Sequence, residues 1–92
     1  MDKIFANTMI YFRKRAHLTQ NELAVRTGIT QSAISKLEEG SHWPNKITIS
    51  KFCRGVGISG NEFFLYMSLQ MMAIAFESVI WLDDEEEEDE NG

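Results

Sequence analysis

Four polar side chains on one short stretch of this 92-residue chain have the types and spacing to do chemistry. They are Gln31, Ser32, Ser35 and Lys36. On a helix they cover about 140° of one side, opposite Ala33, Ile34 and Leu37. In the major groove of DNA, glutamine matches adenine, lysine matches guanine, and serine suits either base. The pattern predicts a face that reads base edges; the alternative is an ordinary solvated face, since outward polar residues need no function.

Catalysis finds less support in the sequence. His17, His42 and Cys53 do not follow a metal-ligand spacing. No nucleophile–base pair, metal cluster or phosphate-binding loop is recognisable. We therefore expect no enzymatic activity, no metal and no cofactor. Cys53 is expected to be a buried, inert thiol on the inner face of a helix.

Capping signals place the polar face on the second of two short helices. Thr19 with Glu22 has the capping-box spacing, and Thr30 is a second N-cap. Gly28 and Gly40 follow the two helices, where glycine readily adopts a left-handed conformation. Two helices of eight to nine residues joined by a three-residue turn have the spacing of a helix-turn-helix.

Two further helices flank this pair and supply apolar faces. In helix 1 the inward positions are Phe5, Met9, Phe12 and Ala16. In helix 4, which Asn45 can cap, they are Ile49, Phe52, Cys53 and Val56. The absence of sustained period-2 alternation predicts an all-α, five-helix, repressor-like domain with an extended apolar C-terminal helix.

The fifth helix, expected over residues 60–82 after a capping box at Ser59 and Glu62, is unusually apolar. Sixteen of the twenty residues from 63 to 82 are apolar. One stripe consists of Leu65, Leu69, Met72, Phe76 and Val79, and a second of Phe64, Met67, Met71 and Ile74. Two apolar faces exceed what a small domain can cover, so the first stripe is expected to mediate dimerisation. Residues 73–82 are also compatible with a strand.

Charge is distributed unevenly along the chain. The formal net charge is −5, but residues 83–90 are all Asp or Glu, and without them residues 1–82 carry +3. This asymmetry points to nucleic acid or a charged partner, and the acidic tail, residues 83–92, is expected to be disordered. Glu77 and the lack of flanking cations argue against a membrane-spanning helix. With a single cysteine and no signal peptide, a cytoplasmic location is expected.

Short motifs along residues 9–66 occur in a recognisable order. They are Phe12-Arg13, Leu18-Thr19-Gln20, Glu22-Leu23-Ala24, Gly28-Ile29-Thr30, Ile34-Ser35, Leu37-Glu38, Gly40, Pro44 and Gly57-Ile58. In this order the chain resembles the phage-repressor-like helix-turn-helix regulators, also called the xenobiotic-response-element family. The resemblance implies that Gln31, Ser32 and Lys36 contact bases, and that Arg13 and Glu38 form an ion pair beneath the recognition helix.

The resemblance also implies contacts to the DNA backbone. Gln20 stands at the start of helix 2, where a helix N-terminus binds anions, and the loop after helix 3, which also contains His42, matches a second phosphate-contacting segment. The expected phosphate-contacting residues are Lys14, Gln20, Asn21, Trp43, Asn45 and Lys46. For Trp43, simple packing against the loop is the competing interpretation.

These observations predict a homodimeric transcriptional regulator that binds double-stranded DNA in a sequence-specific manner. Residues 1–68 would be the helix-turn-helix domain, residues 31–39 the recognition helix in the major groove, residues 69–82 the dimerisation segment, and residues 83–92 the tail. The alternative is a protein-interaction module, similar to an antitoxin or antirepressor, whose apolar C-terminal segment holds a protein partner.

Overall fold

Five helices in sequence make up the described part of the chain. The computed structural model describes the backbone of residues 3–91 and the side chains of residues 3–79. The helices are α1 (Ile4–Arg15), α2 (Gln20–Thr27), α3 (Gln31–Glu39), α4 (Lys46–Val56) and α5 (Gly60–Asn91). The described backbone contains no strand. This confirms the predicted all-α, five-helix fold and makes residues 73–82 helical.

The ends of α2 and α3 follow the predicted caps. The Thr19 hydroxyl accepts from the backbone N–H of Glu22 at 3.1 Å, and the Glu22 carboxylate accepts from the backbone N–H of Thr19 at 3.0 Å. The Thr30 hydroxyl accepts from the backbone N–H of Ala33 at 3.1 Å. Gly28 has φ 75°, and the C-cap of α3 has φ 83°. Local hydrogen bonds therefore set both helix boundaries.

The start of α5 departs from the prediction in one detail. The Ser59 hydroxyl accepts from the backbone N–H of Glu62 at 3.1 Å, as a capping box requires. The Glu62 carboxylate instead accepts from Arg15 Nη1 at 3.3 Å. The predicted reciprocal box is thus reduced to a single cap, because a nearby guanidinium competes for the carboxylate.

The core lies between α1, α3, α4 and the first turns of α5. Its buried residues are Met9, Phe12, Leu18, Leu23, Ile34, Leu37, Phe52, Cys53 and Phe63. The inward positions predicted for α1 and α4 all lie in this cluster or pack against it. Phe63, which neither predicted stripe of helix 5 contains, is fully buried and stacks near Phe12 at 6.2 Å between ring centroids.

The packing of α2 on α4 requires a glycine. A Cβ at Gly55 would lie 2.5 Å from Cγ2 of Thr27, closer than side-chain atoms approach one another. Thr27 has little freedom to move, because its hydroxyl donates to the Leu23 carbonyl at 2.7 Å and accepts from the Ile29 N–H at 3.2 Å. Gly55 therefore allows the close contact that supports the helix-turn-helix from behind.

Helix α5 joins the rest of the fold over its first third only. Gln70 Nε2 donates to Thr8 Oγ1 at 2.6 Å, and Thr8 is fully buried on α1. Residues 71–79 are all exposed. We call residues 4–70 the head. The free part of α5 extends beyond it, which gives the molecule extents of 59 × 23 × 23 Å.

The acidic tail differs from expectation in its backbone. Residues 83–91 continue α5 as a helix, although the sequence predicted disorder for residues 83–92. Glutamate has a high intrinsic helix propensity, which favours continuation of an existing helix. The tail side chains lie outside the described part of the chain. Among the described residues, no helix has the length and apolarity that crossing a bilayer requires.

Candidate nucleic-acid interface

The polar residues of α3 lie on the outer surface, as the helical wheel predicted. Ile34 is fully buried and Leu37 nearly so, which fixes the rotation of the helix. Gln31, Ser32 and Lys36 are exposed on the opposite side. Ser35 is half-buried. We call Gln31, Ser32, Ser35 and Lys36 the recognition face.

A buried ion pair holds α3 against α1. Arg13 Nε lies 2.7 Å from Glu38 Oε2, and Arg13 Nη2 donates to Glu38 Oε1 at 2.9 Å. Arg13 Nη1 donates to the Leu18 carbonyl at 2.9 Å. The hydrogen bond from Arg13 to Glu38 raises the pKa of the guanidinium above its usual value. The two charges therefore neutralise each other within the protein, and the ion pair implied by the family resemblance is present.

The first turn of α2 adjoins this ion pair. Gln20 is half-buried, and its Nε2 donates to Glu38 Oε1 at 3.2 Å. An amide nitrogen has two hydrogens, so one remains for another acceptor. Asn21 is exposed beside it. The free N–H groups of a helix N-terminus and these two amides form a surface suited to an anion.

A groove of about 350 Å³ runs between α3 and the start of α4. Its lining includes Ser32, Lys36, Trp43, Asn45 and Thr48. The groove thus brings two residues of the recognition face together with two predicted phosphate-contacting residues. Asn45 is the N-cap of α4, and its Oδ1 accepts from the Thr48 N–H at 2.8 Å. Its amide hydrogens are left for other acceptors.

Trp43 is 70% exposed on the rim of the groove. Its ring packs edge-to-face with the ring of Phe5 on α1, at 4.5 Å between centroids. His42 also lines the groove, and its Nδ1 lies 3.2 Å from Ser41 Oγ. Trp43 thus packs on α1 rather than only on its own loop, and its contact with phosphate stays a prediction.

Two predicted phosphate-contacting lysines lie apart from this groove. Lys14 is exposed on α1. Lys46 lines a different groove, of about 390 Å³, together with Ser50, Arg54 and Gly60. The sequence analysis did not connect Lys46 with Arg54, although they lie eight residues, about two helical turns, apart on α4. It also missed Thr48, one turn beyond the Asn45 cap.

Metal ligands are not assembled in this part of the chain. Among the described residues, no three His, Cys, Asp or Glu side chains are grouped so that they could hold a metal ion.

Sequence comparison finds relatives among regulators. A family model described as helix-turn-helix matches residues 9–63. A protein of Sinorhizobium fredii named as an uncharacterized HTH-type transcriptional regulator is 32% identical over 62 residues, which is 67% of this chain and 80% of the relative. A protein of Methanothermobacter thermautotrophicus with the same description is 42% identical over 45 residues, which is 49% of this chain and 65% of that protein.

Solved structures support the same fold. The clp gene regulator ClgR from Corynebacterium glutamicum aligns with a TM-score of 0.77 at 19% identity, covering 86% of this chain and 84% of ClgR. A mutant of the restriction-modification controller protein C.Esp1396I aligns with a TM-score of 0.74 at 19% identity, covering 78% of this chain and 94% of the controller. At this identity the likeness concerns the fold alone. Together with the family match over residues 9–63, these findings show that the chain belongs to the helix-turn-helix family of transcriptional regulators of the xenobiotic-response-element type.

Proposed function

We propose that this protein is a homodimeric transcriptional regulator that reads a specific DNA sequence with α3 in the major groove. The observation that carries the proposal is the exposed recognition face on a helix that the Arg13–Glu38 pair and the core hold rigidly. A nine-residue helix is about 14 Å long. It suits a major groove about 12 Å wide.

Base reading is assigned to the recognition face of α3. Gln31 would contact adenine, and Lys36 would donate to guanine. Ser32 and Ser35 would contribute shorter hydrogen bonds to either base. This assignment rests on the exposure of Gln31, Ser32 and Lys36 and on the place of α3 in a helix-turn-helix, whose second helix lies in the major groove.

Backbone contacts are assigned to the surfaces on either side of α3. Gln20 and Asn21 at the start of α2 would bind one phosphate, and Trp43 and Asn45 at the groove rim would bind another. The two lysines outside the groove, at positions 14 and 46, would add longer-range attraction. These contacts would position the protein without reading sequence.

Dimerisation is assigned to the exposed apolar stripe of α5, which we call the seam. The seam consists of Leu65, Leu69, Met72, Phe76 and Val79, which are 53–66% exposed. Its alternating spacings of four and three residues are typical of two helices packed side by side. A dimer would place two recognition helices on half-sites about one turn of DNA apart, because a single helix reads too few base pairs. In this proposal residues 1–68 bind DNA and residues 69–82 join the two chains.

Selection of bound duplexes from a random pool tests DNA reading directly. We expect enrichment of a near-palindromic sequence with a fixed spacing between half-sites. On that sequence Gln31→Ala and Lys36→Ala should each lose about 1–3 kcal/mol of binding free energy and relax preference at one position. Lys51→Ala is the matched control, since it removes an equal charge from an exposed site on α4. A pool without enrichment, or unchanged preferences in both variants, would overturn the base-reading roles.

A protein-interaction module remains the second candidate, because the exposed seam would also suit a different protein chain. Light scattering on the purified protein separates the two. A stable homodimer supports the regulator. A monomer that aggregates unless it is co-expressed with a partner protein supports the module.

A further inference from the structure

We propose that two copies pair antiparallel along α5, with the twofold axis near Met72. Each chain would then bring its acidic segment, residues 83–90, beside the start of α5 and the end of α4 in its partner. This inference rests on the proposed dimer and adds its direction and a second, electrostatic contact. The argument uses the seam, the charges of α5 and the position of the head.

The seam faces away from the head. Phe63 and Gln70 hold α5 against α1, and they lie on the side opposite the exposed Leu65, Leu69 and Met72. Met72 is the middle of the five seam residues and is 65% exposed. A second α5 can therefore pack along the seam without displacing any contact of the head, and a twofold axis at Met72 brings the whole seam into contact.

The charge of α5 disfavours a parallel pair. From Gly60 to Asn91 the helix contains no Lys, Arg or His, whereas residues 83–90 are all acidic. Parallel packing would set two runs of eight carboxylates side by side with no cation on either helix. Like charges at such close spacing are destabilising. Antiparallel packing moves the two acidic segments to opposite ends of the pair.

The antiparallel pair places each acidic segment near positive charge. Residues 83 and 84 lie as far beyond Met72 as Asn61 and Gly60 lie before it, so the rest of the acidic segment would extend past the N-terminus of the partner's α5. That region of the partner contains the N-terminus of α5, which carries the positive end of the helix dipole. It also contains the groove that Lys46, Arg54 and Gly60 line. Arg54 and Lys46, which both line this groove, are exposed.

The antiparallel arrangement would also separate the two heads. Gly60 lies twelve residues before Met72, which is about 18 Å along a helix. The two copies of Gly60 would therefore be about 36 Å apart along the pair, and α5 contacts the head from Phe63 to Gln70. A parallel pair would instead place the two heads side by side at the same end of the pair.

Distances between spin labels test the direction of pairing. Labels on Asn61→Cys or Ser78→Cys, each in a Cys53→Ala background, occupy exposed positions outside the seam. Antiparallel pairing predicts label separations along the helix of about 33 Å at position 61 and about 18 Å at position 78. Parallel pairing predicts no separation along the helix at either position, so that only the separation across the pair remains, between axes about 10 Å apart. A distance at position 61 well below about 33 Å would overturn the antiparallel arrangement and leave the dimer intact, whereas a monomer would overturn the proposed dimer itself.

Removal of residues 83–92 tests the electrostatic contact, because the two arrangements predict opposite signs. In the antiparallel pair the truncated protein should dimerise about tenfold more weakly at low salt, with the difference fading at high salt. In a parallel pair truncation should strengthen the dimer by relieving repulsion. Sedimentation equilibrium of the full-length and truncated chains measures both dissociation constants, and a tighter or unchanged truncated dimer would overturn the contact.

Reversal of one charge locates the contact on the partner. Arg54→Glu should weaken the full-length dimer and have little effect on the truncated one, because the two changes remove the same interaction. Lys36→Glu is the matched control, since α3 packs against α1 and α2 rather than against α5. Equal weakening by Arg54→Glu with and without the tail would show that the acidic segment lies elsewhere.

Discussion

Arg13 and Glu38, twenty-five residues apart in the sequence, meet in a two-point ion pair with nitrogen–oxygen distances of 2.7 and 2.9 Å. Their side chains are only 13% and 6% exposed. The pair joins the end of α1 to the recognition helix, and Gln20 adds a contact from α2. Three helices thus converge on one carboxylate, and their mutual orientation depends on it.

Removal of one member of this pair should lower the free energy of unfolding more than removal of both. Arg13→Met leaves the Glu38 carboxylate largely buried without its main partner, so we expect a loss of roughly 3 kcal/mol in the free energy of unfolding. The double variant Arg13→Met with Glu38→Leu should recover much of that loss, because no charge is then left buried. Urea denaturation of the three proteins measures the difference. Equal stability of the single and double variants would contradict this account.

The hydrogen bond between Gln70 and Thr8 should control the direction of α5. Gln70→Leu leaves the Thr8 hydroxyl bonded only to the Ile4 carbonyl, and we expect a cost of about 1 kcal/mol in stability. The dimer should persist but tolerate a wider range of half-site spacings in duplex selection. Ser68→Ala is the control, because that hydroxyl donates to the Phe64 carbonyl of its own helix at 2.8 Å. The same spacing profile in both variants would exclude an orienting role.

A methyl group at position 55 should force α2 and α4 apart. We expect Gly55→Ala to destabilise the protein by about 1–3 kcal/mol through overpacking against Thr27. Gly60→Ala is the matched control, since a Cβ there meets no atom within 4 Å and a helical alanine is favourable. Thermal unfolding of both variants measures the effect. A Gly55→Ala protein as stable as the control would contradict the close packing described above.

The capping box of α2 should contribute a pH-dependent part of stability. Hydrogen bonds from Thr19 lower the pKa of Glu22 below its usual value of about 4.5. A lowered pKa in the folded state favours the carboxylate, so this contribution is present above that pH and is lost as the pH falls through the folded-state pKa. The difference in the free energy of unfolding between the parent protein and the Glu22→Gln variant should therefore shrink as the pH falls from about 6 to about 3. A gap that stays constant over this range would contradict the assignment.

The thiol of Cys53 should be unreactive in the folded protein. Burial among core residues raises its pKa above the usual value, so little thiolate is present near neutral pH. Modification by a thiol reagent should proceed at the rate at which the protein opens, and quickly once urea unfolds it. Rapid modification of the native protein, at the rate of a free thiol, would show that the side chain is accessible.

Local signals in the sequence were enough to define the helix-turn-helix. The helix caps make hydrogen bonds to residues only a few positions away in the chain. The bounds of α2 and α3 could therefore be predicted from the spacing of the N-caps Thr19 and Thr30 and the C-caps Gly28 and Gly40. The inner and outer faces of α3 were equally predictable, because apolar and polar residues separate clearly around that short helix. The ion pair between Arg13 and Glu38 came only from the family resemblance.

The inner face of α5 could not be predicted from the sequence. Because α5 is apolar on nearly every side, its periodicity could not show which face meets the head, and Phe63 was missed as a core residue. The sequence offers no reason for Gln70 within the apolar run, because its hydrogen-bond partner, Thr8, lies sixty-two residues away in the chain. Contacts within one helix depend on neighbours in the chain, so sequence by itself determined α2, α3 and the recognition face. Contacts between distant segments depend on how the helices pack, so only the tertiary structure decided the inner face of α5 and the grouping of Lys46 with Arg54.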